Sequence, residues 1–286
     1  MVIEVFILKV DNIEKAIYEA LERLRWKEII EQGSVVLIKP NFLTLPKKGV
    51  TTDLDLLKSV IKIIKGRASR VIVGETDSTG RIFDEIMFKL NLDCEILNLS
   101  KDKKLIIHGK YGTYNLPELA IKSHLINLPI LKTHTLTKIT GAIKNLFGLI
   151  QDRDKEAFHW RIDKVLADLY EIFQPKINIL DAIYSMDEKG PIYGRIKNTG
   201  FIMASRDALA LDCAACDLIG LNPKEVNHLK IAMNERRLEY KLIGSFEPLK
   251  DFKIPNTSFD KFGAYLLRYR EMRRLLKPIV KWFMRG

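Results

Sequence analysis

The stretch Val35-Val36-Leu37-Ile38-Lys39-Pro40-Asn41 decides the fold, because four apolar residues, three of them β-branched, stop abruptly on a lysine, a proline and an asparagine. A short run that is apolar on both faces suits a strand buried between two helical layers, as in a parallel sheet. The same design recurs at residues 71–74 before Glu75-Thr76-Asp77-Ser78, at 125–131 before Lys132-Thr133-His134, at 177–180 before Asp181, and at 201–204 before Ser205-Arg206-Asp207. Ligands of open α/β sheets bind beyond the carboxyl ends of the strands, so the five polar clusters are expected to converge on one crevice.

Outward from these runs, residues 2–8 read as a further strand and 13–30 as a helix capped by Asn12, with Ile13, Ala16, Ile17, Ala20, Leu21 and Leu24 at helical spacing. A helix over 54–64, capped by Thr52 or Asp53, makes a right-handed strand–helix–strand crossover between the runs at 35 and 71. Helices are expected at 137–147, 161–173, 207–219 and 223–235, and strands at 176–180 and 201–204. Three short runs between 94 and 116, with Gly109 among them, resemble an inserted β element. The class is α/β: a mostly parallel, Rossmann-like sheet flanked by helices, with a small β insertion and a C-terminal amphipathic helix. An α/β core over 1–260 and a basic tail over 261–286 are the expected parts.

The 286 residues, 47% hydrophobic and 29% charged, are enough for a sizeable core, and the Ile- and Lys-rich usage is of the kind found in thermophilic proteins. The formal charge of +11 is concentrated in the tail, where Lys261, Arg268, Arg270, Arg273, Arg274, Lys277, Lys281 and Arg285 face the single acid Glu271. Phe262, Tyr265, Leu266, Tyr269, Met272, Leu276, Ile279, Val280 and Phe283 recur there at three- and four-residue steps, interrupted by Pro278. This basic amphipathic helix is expected to dock on the body, with peripheral membrane contact or partner binding as the alternatives. No RNP, zinc-finger or basic-heptad pattern marks a nucleic-acid binder. Residues 1–8 lack a basic signal-peptide region and no 18-residue uncharged apolar run exists, so a cytoplasmic location is expected.

The lysines Lys39, Lys132 and Lys144 suit a small anionic ligand, a phosphate or a carboxylate, with Asn41 and Asn145 adding amide hydrogen bonds. His134 and His159, each among charged neighbours, are the candidates for proton transfer. His108, His124 and His228 have no comparable setting and read as structural or exposed. Glu75, Asp77, Asp181 and Asp207 at strand ends are candidate Mg²⁺ holders, although Asp207 reads equally as a helix cap. Asp212, within an apolar helix, is expected to pair with a crevice lysine and to take part in catalysis. Cys213 and Cys216 have the spacing of a redox or metal motif, but in an apolar helix they read first as small core residues. Cys94 joins them as a third ligand for zinc or an iron–sulfur cluster only if the fold brings it close. Segment 74–80 is a possible phosphate cradle without the P-loop lysine, and neither a dinucleotide glycine fingerprint nor a serine-hydrolase elbow is present.

Several segments together carry a family resemblance: Ile-Lys-Pro-Asn at 38–41, Ile-Asn-Leu-Pro-Ile-Leu-Lys-Thr-His at 126–134, Thr-Gly-Ala-Ile-Lys-Asn-Leu-Phe-Gly-Leu at 140–149 and Gly-Pro-Ile-Tyr-Gly at 190–194. With Thr51-Thr52, Gly74-Glu75, Arg153-Asp154-Lys155, His159, Arg206-Asp207, Asp212 and Gly220 in order, residues 35–244 resemble the family catalogued as domain of unknown function 362. The resemblance implies no settled reaction. Some members are fused to ferredoxin-like iron–sulfur modules, whereas this sequence offers no four closely spaced cysteines. The expected function is an enzyme holding a small anion in a lysine and histidine crevice. The alternatives are a redox protein that uses Cys213 and Cys216 with a partner protein, and a scaffold that docks through the tail.

Overall fold

The computed structural model describes residues 2–79, 81–245, 247–257, 261 and 265. The chain opens with β1 (Ile3–Lys9), α1 (Ile13–Arg23), α2 (Trp26–Ile29), β2 (Val35–Pro40), α3 (Leu54–Lys65), β3 (Arg70–Glu75), α4 (Phe83–Met87) and β4 (Glu95–Asn98). It continues through β5 (Lys104–His108), β6 (Thr113–Pro117), α5 (Glu118–Lys122), β7 (His124–Leu128), β8 (Ile130–His134), β9 (Lys138–Ile139) and α6 (Ala142–Asn145). The remaining described elements are α7 (Ile162–Phe173), β10 (Ile177–Asp187), β11 (Arg195–Ser205), α8 (Ala208–Leu218), α9 (Asn227–Glu235) and β12 (Tyr240–Ile243).

The main sheet runs β12-β1-β11-β10-β7-β2-β3-β4, with β8 alongside β10 and β9 alongside β8. Strands β10, β7, β2, β3 and β4 are mutually parallel, while β11 runs antiparallel to both neighbours. Alternation along each strand splits the core between the two faces of the sheet. Phe6, Leu8, Val36, Ile38, Val71 and Val73 pack on one side with Ile17 and Leu21 of α1 and Leu57, Val60 and Ile64 of α3. Ile7, Leu37, Ile72, Leu125, Leu180 and Met203 face the other way, toward Ile143 of α6, Leu166 of α7, Leu211 of α8 and Leu229 of α9. The result is a three-layer, mostly parallel α/β architecture, as the strand-like runs imply. Among the described residues no helix is long and apolar enough to cross a membrane.

Local expectations hold where a cap and a period agree. Asp53 accepts the N–H groups of Asp55 and Leu56 at the start of α3, and Asn12 accepts that of Lys15 at the start of α1. The expected helix over 13–30 is broken, because Arg25 takes the left-handed region at φ 50°. Residues 137–147 are not one helix either: β9 occupies the start, and α6 begins only after Gly141 and gives way to a 3₁₀ turn over 146–149. Of the three runs between 94 and 116, the first becomes β4 of the main sheet, and only β5 and β6 form a separate two-stranded sheet. The expected tail helix over 261–286 lies outside the described residues, apart from positions 261 and 265.

The fifth run needs correcting. Strands β10 and β11 form one long hairpin in which Asn178 faces Ser205 and Asp187 faces Arg195. Because β11 returns antiparallel, Ser205-Arg206-Asp207 emerges at the opposite end of the sheet from Lys39, Glu75 and Lys132. The outer halves of both strands hid this, since their polar side chains, such as Ser185 bonded to Thr199 and Asp187 bonded to Arg195, interrupt the apolar pattern.

Candidate functional site

Four parallel strands, β2, β3, β7 and β10, and the short β8 deliver polar residues to one end of the sheet, and α6 with the segment over 146–161 closes over them. At the ends of adjacent β2 and β3, Lys39 Nζ donates to Glu75 Oε2 at 2.7 Å and to the Pro40 carbonyl at 2.6 Å. Arg81 stands 3.8 Å from the same carboxylate. Burial works to raise the Glu75 carboxyl, but Lys39, Arg81 and Lys155 together hold it below the usual carboxylate range. Lys155 donates to the Thr76 hydroxyl and, at 3.4 Å, to the Gly148 carbonyl. Glycine at 148 leaves room for the pair, since a Cβ there would lie 2.8 Å from both Lys39 Nζ and Glu75 Oε1.

Beside this pair runs an amide chain. Lys132 Nζ donates to the Val50 carbonyl at 2.6 Å and to Asn41 Oδ1 at 3.3 Å, and Asn41 Nδ2 donates to Asn145 Oδ1 at 3.1 Å. Asn145 in turn donates to the Lys39 carbonyl and to Asn127 Oδ1. Burial pushes the Lys132 ammonium down to about 7, with Lys144 adding to the effect and Asp181 opposing it. Asp181 accepts the backbone N–H groups of Asp53 and Ile183, yet burial raises its carboxyl to about 7.

The third group is the most unusual. Lys144 on α6 makes no hydrogen bond or ion pair among the described residues, and its Nζ lies 5.7 Å from the Phe147 ring centroid. Burial lowers it to about 8. His159 stacks on the same Phe147 at 6.0 Å between centroids and is pushed down to about 4, by burial first and by Lys144 second. His134 lies close enough to Lys144, His159, Lys132 and His228 that their charges add to burial in holding it well below the ordinary histidine value. His134 Nδ1 accepts the Leu136 N–H at 3.1 Å, which assigns the ring proton of the neutral imidazole to Nε2. Lys144 and His159 thus share Phe147 as a neighbour, and both, with Lys132, lie near enough to His134 to act on its charge.

Other candidates take different roles. Asp212 on α8 pairs with no lysine among the described residues; its two oxygens accept the N–H groups of Ala142 at 2.6 Å and Ile143 at 2.9 Å, the first turn of α6. Burial raises that carboxyl to about 7. Gly141 allows the approach, because a Cβ there would sit 2.3 Å from Asp212 Oδ1. Asp212 thus positions the helix that carries Lys144 rather than facing a ligand. Asp207, at the far end of the sheet, caps α8 through the Ala210 N–H at 2.9 Å and accepts the Tyr170 hydroxyl at 2.9 Å, with Arg236 at 3.1 Å.

The candidate Mg²⁺ set consequently does not assemble: Glu75 is paired with Lys39, Asp77 accepts from Phe83 N–H and Asn98, Asp181 binds backbone, and Asp207 is remote. Among the described residues no three His, Cys, Asp or Glu side chains form a group able to hold a metal ion. Cys213 and Cys216 are fully buried in α8, and burial pushes both thiols upward, which suits packing rather than thiolate chemistry. Cys94 packs on the opposite face of the sheet, so it joins no cluster with them within one chain.

Three participants escape the sequence reading. Lys155 and Arg81 sit in hydrophilic stretches that look like solvated surface, yet they complete the charge around Glu75. His228, expected to be structural or exposed, is 1% exposed and close enough to His134 to oppose its protonation. Only the packing of α9 onto α7 brings it there, and no local motif signals that.

Comparison with known proteins follows this geometry. A family model described as "Domain of unknown function (DUF362)" matches residues 36–217, a range that holds every residue of the crevice except His228. The Thylakoid-associated protein sll1697 of Synechocystis sp. is 26% identical over 213 residues, which cover 69% of this chain and 66% of that protein. The chain thus spans just under two thirds of that relative's length. No solved structure matches the chain.

Proposed function

The chain belongs to the family described as Domain of unknown function (DUF362), and from that premise we propose that it is an enzyme that holds a small phosphate- or carboxylate-bearing ligand against Lys144. One observation carries the reading: among the described residues the Lys144 ammonium makes no hydrogen bond or ion pair, it acts on Lys132, His134 and His159, and the one carboxylate that offsets any of these three is Asp181 beside Lys132. Lys144 lowers Lys132, His134 and His159, so the charge this cluster lacks is negative, and perturbed buried groups of this kind concentrate at functional sites. The two histidines divide the work. His134, neutral with its proton on Nε2, donates a hydrogen bond to a ligand oxygen, while His159, neutral and hydrogen-bonded to no side chain among the described residues, takes up a proton.

Acetate and inorganic phosphate are the probes, titrated calorimetrically into the full chain. K144M is expected to weaken both at least tenfold at pH 7. The ammonium is present below its value of about 8 and lost above it, so acetate affinity falls with pH beyond 8, approaching tenfold per pH unit. Wild-type affinity in K144M, or a flat acetate profile from pH 7 to 9, would overturn the assignment.

A further inference from the structure

Two loops at the crevice end of the sheet carry exposed side chains that the crevice chemistry leaves unused. Residues 41–52, between β2 and α3, and residues 189–198, from the turn of the β10–β11 hairpin into β11, hold five lysines and arginines and no acid. Arg195 and Lys197 are answered by the buried Asp187, but the exposed Lys47, Lys48 and Lys189 make no ion pair among the described residues. Leu45, Tyr193 and Ile196 are 43%, 59% and 42% exposed, three of the nine large apolar side chains that stand in solvent among the described residues, so apolar surface is gathered here rather than scattered. Two contacts lay the first loop across the hairpin. Lys48 Nζ stands 4.9 Å from the Tyr184 ring centroid, and a Cβ at Gly49 would lie 2.8 Å from Ile196 Cγ2. Tyr184 and Ile196 share one face of the hairpin, since Tyr184 pairs with Asn198 and Met186 with Ile196. Both loops also reach the crevice, where the Val50 carbonyl accepts from Lys132 and the Gly190 N–H donates to the Thr133 hydroxyl.

We propose that these two loops together form a contact surface for an anionic lipid membrane, which seats the crevice end of the sheet against the headgroups. Unpaired lysines are drawn to a negatively charged leaflet, while exposed leucine and tyrosine side chains enter the boundary between headgroups and acyl chains. The interleaving favours lipid over a protein partner: Leu45 is followed by Lys47 and Lys48, and Tyr193 stands between Lys189 and Arg195, whereas the core of a protein interface is depleted in lysine. The inference goes beyond the anion reading, because the exposed side chains of the two loops do not hold the crevice ligand. The basic tail over 261–286 is a separate source of attraction to the same membrane, so it stays in place in every variant compared.

The test is flotation of the full chain with vesicles of equal parts phosphatidylserine and phosphatidylcholine, and with vesicles of phosphatidylcholine alone. The wild type is expected to float with the anionic vesicles and weakly or not at all with the neutral ones. A lysine close to an anionic surface contributes about fivefold in affinity, so K47E/K48E/K189E is expected to lose at least about tenfold. L45S/Y193S, which keeps the Ile196 packing on Gly49, is expected to lose at least about tenfold as well, because the apolar side chains no longer enter the interface. K58E/K224E/K230E changes three other exposed lysines by the same total charge and is expected to stay within about twofold of wild type. All the substitutions are at exposed positions, so unchanged thermal melts are expected throughout. A wild type that ignores the anionic vesicles would overturn the surface and leave the patch to a protein partner. Wild-type flotation by both loop variants would assign the binding to the tail, and equal losses in K47E/K48E/K189E and K58E/K224E/K230E would reduce it to net charge; either result would also overturn the proposal.

Discussion

Lys39 and Glu75 are each 3% exposed or less, and they satisfy one another. Removing one member of such a buried pair strands the other charge, which costs about 3–5 kcal/mol, whereas replacing both with apolar residues of similar volume is often close to neutral. E75Q is therefore expected to lower unfolding free energy by about that amount, and K39M/E75L to recover most of it, both measured by urea denaturation. A double variant no better than E75Q would show that Arg81 and Lys155 depend on the carboxylate as much as Lys39 does. The sequence marks both residues as strand-end groups, and that placement holds. Their partnership was not legible, because it depends on β2 lying next to β3 in a register that pairs Ile38 with Val73. Lys39 is consequently committed to Glu75, whereas half-buried Lys144 makes no hydrogen bond or ion pair among the described residues.

At the scale of the element, the four-residue α6 is too short to be stable by itself, since helix nucleation is costly and short helices depend on tertiary contacts. Asp212 supplies that contact by accepting its first two N–H groups. D212A is expected to cost about 1.5–3 kcal/mol for the lost charge-assisted bonds and to weaken acetate binding about tenfold as Lys144 loses its mooring. Thermal melts and acetate titration report the two effects separately, and stability lost at wild-type affinity would free Lys144 from dependence on Asp212. Helices α3, α7 and α8 were readable to within a residue or so because apolar period and start signals agree. The stretch over 137–149 misled because Ala142, Ile143, Leu146 and Phe147 keep a helical period through a strand end, a glycine and a 3₁₀ turn. Asp212 was legible as a buried acid needing a partner, but a backbone acceptor pattern leaves no trace in side-chain chemistry.

The whole molecule stores positive charge in its framework. Lys132 and Lys155 at about 7 and Lys144 at about 8 all lie below the ordinary lysine value of about 10.4 through burial, so the unfolded chain binds more protons than the folded one between these values. Stability is thus expected to rise with pH from about 7 to about 10. K144M should remove up to about 3 kcal/mol of that rise, as read from urea midpoints at pH 7 and pH 10. An equal rise in wild type and K144M would mean that Lys144 is solvated. Fold class was legible because burial on both faces of a parallel sheet leaves an uninterrupted apolar run, and the parallel strands bring four of the five polar clusters to one end of the sheet. The antiparallel return of β11 was not, because polar outer halves disguise the hairpin. That hairpin also fixes the outline of the crevice. Its turn is stitched to β8, where Gly190 N–H donates to the Thr133 hydroxyl at 3.2 Å and the same hydroxyl donates to the Glu188 carbonyl at 3.2 Å, one residue before His134. A turn fastened so near the imidazole pins the backbone beside it like a rivet, whereas His159 leans on Phe147 through a ring stack.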